Sequence, residues 1–136
     1  MIGKFWMDKR VIVTGGAGFL GSFLIGKLIQ RGAADILIPR IEHYDITDSD
    51  SIHDLLDDAM LPLDRRPGHL NPDGFNPVAV PDFIPADLVI IHLAAHVGGI
   101  GANREHPAEF FYDNLMMGAQ LMHQAWQRGV GKFVAI

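Results

Sequence analysis

Short apolar runs alternate with helical spacings of apolar residues along most of this chain. Residues 11–14 (Val-Ile-Val-Thr) form a β-branched run that stops at glycines and predict a buried strand. Over residues 19–31, Leu20, Leu24 and Leu28 fall on one helical line, Ile25 and Ile29 lie beside it, and Gly32 is placed to end the helix. Residues 35–38 predict a second strand and residues 43–46 a brief third. Asp48 and Asp50 then precede a helical pattern of Ile52, Leu55, Leu56, Ala59 and Met60. Acidic residues suit that position because they face the positive end of the helix dipole. Residues 87–93 are the most apolar strand, the fourth. Pro107 can open a long helix whose inner stripe is Phe111, Leu115, Gly118, Met122 and Ala125, with Gly129 as its stop. Residues 132–136 predict a fifth strand.

Strands that alternate with helices imply parallel pairing with helices on both faces. Right-handed crossovers then favour an α/β, Rossmann-like, doubly wound parallel sheet of five strands in the order 3-2-1-4-5, incomplete at its C-terminal end. Residues 1–136 are read as a single domain. One segment breaks the rhythm. Residues 61–86 hold six of the eight prolines, together with Arg65, Arg66, Gly68 and Gly74. They predict an irregular, Pro-rich insertion that packs little against the sheet. It is read either as a tolerated surface insertion or as a functional loop.

Composition narrows the chemistry. The formal charge of -5 excludes a broadly basic face, so no nucleic-acid partner is expected. With no cysteine there can be no disulfide, thiolate nucleophile or cysteine metal site. His92 reads as a satisfied buried histidine, and His96, His106 and His123 lack metal-ligand spacing, so no metal is expected. The opening residues 1–8 lack the apolar core of a signal peptide. The longest apolar stretch, residues 88–95, is far short of the roughly 20 residues that span a bilayer. The expectation is a soluble, cytoplasmic protein with no membrane partner.

Thr14-Gly15-Gly16-Ala17-Gly18-Phe19-Leu20-Gly21 carries the most specific signal. Gly15 can supply the tight turn out of the strand, Gly18 can let a pyrophosphate approach the backbone, and Gly21 can let the helix pack closely. The helix opening at Phe19 and Leu20 points its free N–H groups and positive end at the phosphates. The glycines follow a strand and open an amphipathic helix, which is the context that makes this pattern a dinucleotide loop. A kinase-type loop is excluded, because no Gly-Lys-Ser or Gly-Lys-Thr follows. At the end of the second strand, where NAD-preferring loops place a carboxylate, the sequence reads Ile38-Pro39-Arg40. A guanidinium at Arg40 matches a 2′-phosphate in charge and fork geometry, which favours NADP(H) over NAD. The competing reading makes Arg40 a solvated loop charge and gives the ribose to Glu42.

Thr-Gly-x-x-Gly-Phe-x-Gly, with the later Leu93-Ala94-Ala95, resembles the extended short-chain dehydrogenases, the nucleotide-sugar epimerases and dehydratases. The run Pro39-Arg40-Ile41-Glu42-His43-Tyr44-Asp45-Ile46-Thr47-Asp48 is similar to the GDP-L-fucose synthase family within them. So is the stretch from Val89 through His96-Val97-Gly98-Gly99-Ile100 and Ala102-Asn103 to Pro107-Ala108-Glu109-Phe110-Phe111-Tyr112-Asp113-Asn114-Leu115-Met116. The resemblance implies NADPH-linked epimerisation and reduction of GDP-4-keto-6-deoxymannose to GDP-L-fucose, with a GDP-sugar as partner and a homo-oligomer as the expected assembly. It implies that Gly15, Gly18 and Gly21 hold the pyrophosphate and that Asp45 and Ile46 flank the adenine. It places Leu93, Ala94 and Ala95 along the ribose and Val97 to Ile100 near the nicotinamide. Asn114 would stand beside the active site in a supporting role. Read without the resemblance, Asp45 can simply cap a turn and Asn114 can bond within its own helix.

The chemistry of that family rests on a serine or threonine after the fifth strand and on a Tyr-x-x-x-Lys. Neither Tyr44 nor Tyr112 has a lysine four positions on, so no catalytic residue is assigned to this chain. It is expected to be an N-terminal part, inactive alone. A stand-alone dinucleotide-binding module, or another nucleotide-sugar epimerase/dehydratase, is the alternative.

Overall fold

The computed structural model describes residues 4–136; the leading residues of the segment read above for a signal peptide lie outside it. The elements run β1 (Arg10–Thr14), α1 (Phe19–Gln30), β2 (Asp35–Leu37), α2 (Ser49–Met60), β3 (Leu88–His92), α3 (Ile100–Glu105), α4 (Pro107–Gln127) and β4 (Lys132–Ala135). Short 3-10 turns occur at Gly68–Leu70 and Pro85–Asp87. All pairing is parallel, in the order β2-β1-β3-β4, with Val11 opposite Ile36 on one side and Val89 on the other.

Alternation along the strands builds two cores. Val11, Val13, Ile36, Val89 and Ile91 meet Ile25 and Leu28 of α1. Ile12, Leu37, Leu88 and Ile90 face the other way, onto α2 and α4. Helices therefore cover both faces. Asp48 caps α2 by accepting from the Ser51 N–H at 2.8 Å, and Ile52, Leu55, Leu56 and Ala59 are buried as their spacing predicts. The stripes of α1 and α4 are turned from the predicted lines. In α1 the buried residues are Gly21, Ile25 and Leu28, while Leu20 and Ile29 are exposed. In α4 Met117, Leu121 and Ala125 are buried, while Phe111, Leu115 and Met122 are exposed. Both helices carry apolar residues on more than one line, so periodicity alone does not choose the inner one.

Two expectations are corrected. The sheet has four strands among the described residues, because residues 43–46 form no strand. His43 and Tyr44 both donate backbone N–H groups to the Arg40 carbonyl, at 3.0 and 2.8 Å, and turn the chain off the sheet. The Tyr44 side chain goes into the core and donates to Asp58 at 2.7 Å.

The edge of β2 left without a strand is occupied by the Pro-rich segment, which is no loose surface loop. The Ile38 N–H donates to the Leu70 carbonyl at 2.6 Å, and the Val78 N–H to the Ala34 carbonyl at 2.7 Å. Asn71 Nδ2 donates to the Ile36 carbonyl at 2.8 Å. Leu70 is fully buried, and Phe75 and Phe83 pack against opposite cores. Isolated apolar anchors of this kind carry no period for pattern-reading to detect. A segment that makes only a few edge bonds can also hold prolines that a central strand cannot. β4, at the other end of the sheet, is largely exposed.

Candidate functional site

At the C-terminal end of β1 the backbone turns through Gly15 at φ +72°, a left-handed conformation that favours glycine. The Gly18 N–H closes the turn onto the Gly15 carbonyl at 3.0 Å. A Cβ on Gly15 would lie 2.9 Å from the Ala94 nitrogen, so the loop is pressed against the end of β3. A Cβ on Gly21 would run into the Gly15 carbonyl oxygen and lie 2.6 Å from Gly16 Cα, so α1 begins in contact with the loop. Gly18 differs: a Cβ there would meet only the Gly15 oxygen, at 3.2 Å, which leaves its outer side open. Gly16 was not singled out from the sequence, yet it is also confined, with Ile25 Cδ1 and Ile38 Cγ2 at 3.0 Å from its would-be Cβ.

Thr14 ties the two central strands together. Its buried Oγ1 accepts from the Leu93 and Ala94 N–H groups, each at 3.2 Å, and lies 2.7 Å from His92 Nδ1. Its one hydroxyl proton can then go to the ring nitrogen, which requires a neutral imidazole. Burial pushes the His92 pKa down, in the same direction. His92 is thus a satisfied buried histidine, as its apolar strand suggested.

These strand ends open into a cleft of about 630 Å³. Residues 14–17 form its floor. Residues 39–42 and 44–47 form one wall, and residues 94–97 form the other, joined by Asp113 and Met117 of α4. Of the residues singled out from the sequence, Gly15, Arg40, Asp45, Ile46, Ala94, Ala95 and Val97 line this cleft. Gly18, Gly21 and Leu93 are not among its lining residues. Phe19 is 85% exposed, with its ring edge-on to Phe23, and Leu20 is also exposed; their backbone opens α1 beside the loop. Arg40 is exposed and, among the described residues, in no ion pair.

Asp45 has a visible local job. Its Oδ1 accepts from the Thr47 N–H at 3.0 Å and from the Thr47 hydroxyl at 2.6 Å, which holds the carboxyl below its ordinary pKa. That is the turn-forming role, made on the wall of the cleft. Asn114 does not bond within its helix. Its Oδ1 accepts from the His96 N–H at 2.6 Å and its Nδ2 donates to the His96 carbonyl at 3.0 Å, clamping the loop after β3 to α4. Sequence reasoning missed the neighbouring pair. His96 Nδ1 lies 2.8 Å from Asp113 Oδ2, and both residues line the cleft. The two are far apart in the chain, so no local spacing signals them. Among the described residues no group of three or more His, Asp or Glu could hold a metal ion.

Residues 78–136 match the model of the NAD dependent epimerase/dehydratase family. GDP-L-fucose synthase of Escherichia coli (strain K12) is 28% identical over 126 residues, which cover 93% of this chain and 31% of that protein. The putative GDP-L-fucose synthase 2 of Arabidopsis thaliana is 25% identical over 134 residues, 97% of this chain and 33% of its own length. The chain therefore spans about a third of the length of the curated relatives it matches. A GDP-L-fucose synthetase from Naegleria fowleri, solved bound to NADP, shares the fold with a TM-score of 0.61 at 23% identity, over 95% of this chain and 31% of that one. The family model begins at residue 78, beyond the glycine loop, whereas the first relative's 93% coverage takes that loop in. Among the described residues no helix is long and apolar enough to cross a membrane.

Proposed function

We propose that this chain is the NADP(H)-binding part of a cytoplasmic nucleotide-sugar epimerase/reductase of the GDP-L-fucose synthase type. In the complete protein the substrate would be GDP-4-keto-6-deoxymannose. One observation carries the reading: a glycine loop that no Cβ could replace at Gly15 or Gly21 opens α1 at the floor of a cleft, with the Arg40 guanidinium on its wall. The dinucleotide fits these residues. The open outer side of Gly18 admits a pyrophosphate to the backbone, and the first-turn N–H groups of α1, which a helix cannot satisfy internally, face an anion there. Arg40 takes the 2′-phosphate. Ala94 and Ala95 present only methyl groups on the opposite wall, which suits close passage of a ribose.

When bound, the cofactor supplies the hydride. The chain's own residues bind and orient it. Neither tyrosine of this chain is assigned the proton transfer. Tyr44 is buried and donates to Asp58, and burial followed by that hydrogen bond pushes its phenol far above the ordinary tyrosine range. Tyr112 has Met116, not lysine, four positions on. The chain on its own is expected to bind NADPH and to show no turnover with the keto sugar. Turnover at the rate of a full-length relative would overturn that assignment.

Titration with NADPH and NADH tests the cofactor preference. Arg40→Ala is expected to weaken NADPH by about 10- to 150-fold, the worth of a charge-assisted contact, and NADH by much less. Equal losses for both would give the ribose to another group, such as Glu42 on the same wall.

The assembly is expected to be homo-oligomeric. Sedimentation that shows only monomer up to high concentration would contradict this.

A further inference from the structure

We infer that the Pro-rich segment tunes the choice between NADP and NAD: His69, on its first 3-10 turn, positions Arg40 for a 2′-phosphate, an inference that rests on the dinucleotide reading of the cleft. Arg40 lies between two fastenings to that one turn. Two residues before it, the Ile38 N–H donates to the Leu70 carbonyl at 2.6 Å. Three residues after it, the His43 ring stacks on the His69 ring, with centroids 3.8 Å apart and planes 18° apart. His69 Nε2 also lies 3.3 Å from the Tyr44 hydroxyl, whose own proton goes to Asp58. Burial and the neighbouring His43, against the pull of Asp58, hold the His69 pKa below its ordinary value, so His69 stacks as a neutral ring at pH 7.

The 3-10 turn is a firm support. Leu70 is fully buried beside His69, and Arg66 and Asn71, on either side of the turn, both reach the Asp35 carboxylate. Within the Arg40 turn, the His43 and Tyr44 N–H groups both go back to the Arg40 carbonyl. Those bonds fix the shape of the turn; Tyr44, Leu70 and His69 fix its place. Tyr44 and Leu70 are buried and serve the core whatever binds. His43 and His69 are exposed, so the core gains little from their stack. What the stack does hold is the outer end of the turn that carries Arg40. Arg40 is itself exposed, and among the described residues no ion pair steers it. Its fork meets a phosphate only as well as its backbone is placed, and a backbone placed in advance spares the binding step that ordering.

The experiment titrates NADP and NAD on the intact chain and its variants. His69→Ala is expected to weaken NADP by about 3- to 10-fold, within the worth of one stacked ring pair, and NAD by less than twofold. His43→Ala, which removes the other ring, should do the same. His69→Phe keeps a ring over His43 and should bind NADP within twofold of the unaltered chain. In an Arg40→Ala background, His69→Ala should cost no further NADP affinity, because His69 acts through Arg40. Urea midpoints check that each variant is folded. Equal losses of NADP and NAD, or a further loss in the Arg40→Ala background, would mean that His69 serves the fold alone and overturn the inference. Unchanged NADP affinity in both alanine variants would overturn it too. Should the unaltered chain bind neither dinucleotide, or Arg40→Ala bind NADP as well as the unaltered chain does, the reading of the cleft itself falls, and this inference with it.

Discussion

Asp35→Ala is expected to destabilise the fold by about 3–5 kcal/mol, the cost of leaving buried charges without their partner. Asp35 is the only acid of a buried cluster at the start of β2. Its carboxylate receives Arg66 through both terminal nitrogens, the second at 3.0 Å to Oδ1, and also accepts from Asn71 Nδ2 at 3.0 Å. Arg10 Nε stands 2.9 Å from Oδ2 without aiming its N–H at it, so that contact is Coulombic rather than a hydrogen bond. The guanidinium instead donates to the Ala59 and Leu61 carbonyls, at 2.6 and 2.9 Å, and lies over the Phe83 ring. These side chains are all but sealed from water. Removing the acid leaves two guanidiniums facing each other in a dry site. It also releases the 61–86 segment, because Arg66 and Asn71 are that segment's polar anchors. Urea unfolding should show a lower midpoint, and limited proteolysis should open first within residues 61–86. A loss below about 1 kcal/mol would mean that Leu70 and its apolar neighbours hold the segment without the charges.

Gly21→Ala is expected to damage both stability and dinucleotide binding, while Gly26→Ala in the same helix does neither. The added methyl at position 21 would meet the Gly15 carbonyl and the Gly16 backbone, neither of which can step aside as a side chain can. Relief requires α1 to back away from the loop, at a cost of about 1–3 kcal/mol or more for an overpacked contact. The helix N-terminus then moves from the phosphates. Affinity for NADPH should fall by about tenfold or more for each 1.4 kcal/mol of alignment lost. At Gly26 a Cβ meets nothing within 4 Å. There the substitution should stabilise by up to about 1 kcal/mol through helix propensity and leave binding unchanged. Thermal melts and NADPH titrations of the two variants make the comparison. Similar behaviour at both positions would remove the close-contact argument for the loop.

The sequence by itself determined the elements whose reasons are local. A β-branched run ending at Gly15 became β1, and the acidic start at Asp48 became the cap of α2. The most apolar strand lies at the centre of the sheet beside β1, and the strands that form follow the predicted order. The glycine loop was legible because each glycine's role depends on a few neighbouring residues and on a helix that begins there. What only the tertiary structure decided depends on distant partners. The brief strand expected at residues 43–46 is a turn because Asp58 and the core claim Tyr44, while Leu70, Asn71 and Val78 take the edge of β2. Prolines and isolated apolar residues signalled a loose loop, but the buried charge at Asp35 is met by Arg66, Asn71 and Arg10, brought in from other parts of the chain. The choice among several apolar lines on α1 and α4 was likewise made by the sheet beneath them. His96 and Asp113 meet for the same reason: α4 returns along the end of β3 and sets two residues from separate elements side by side, a contact that no spacing along the chain encodes.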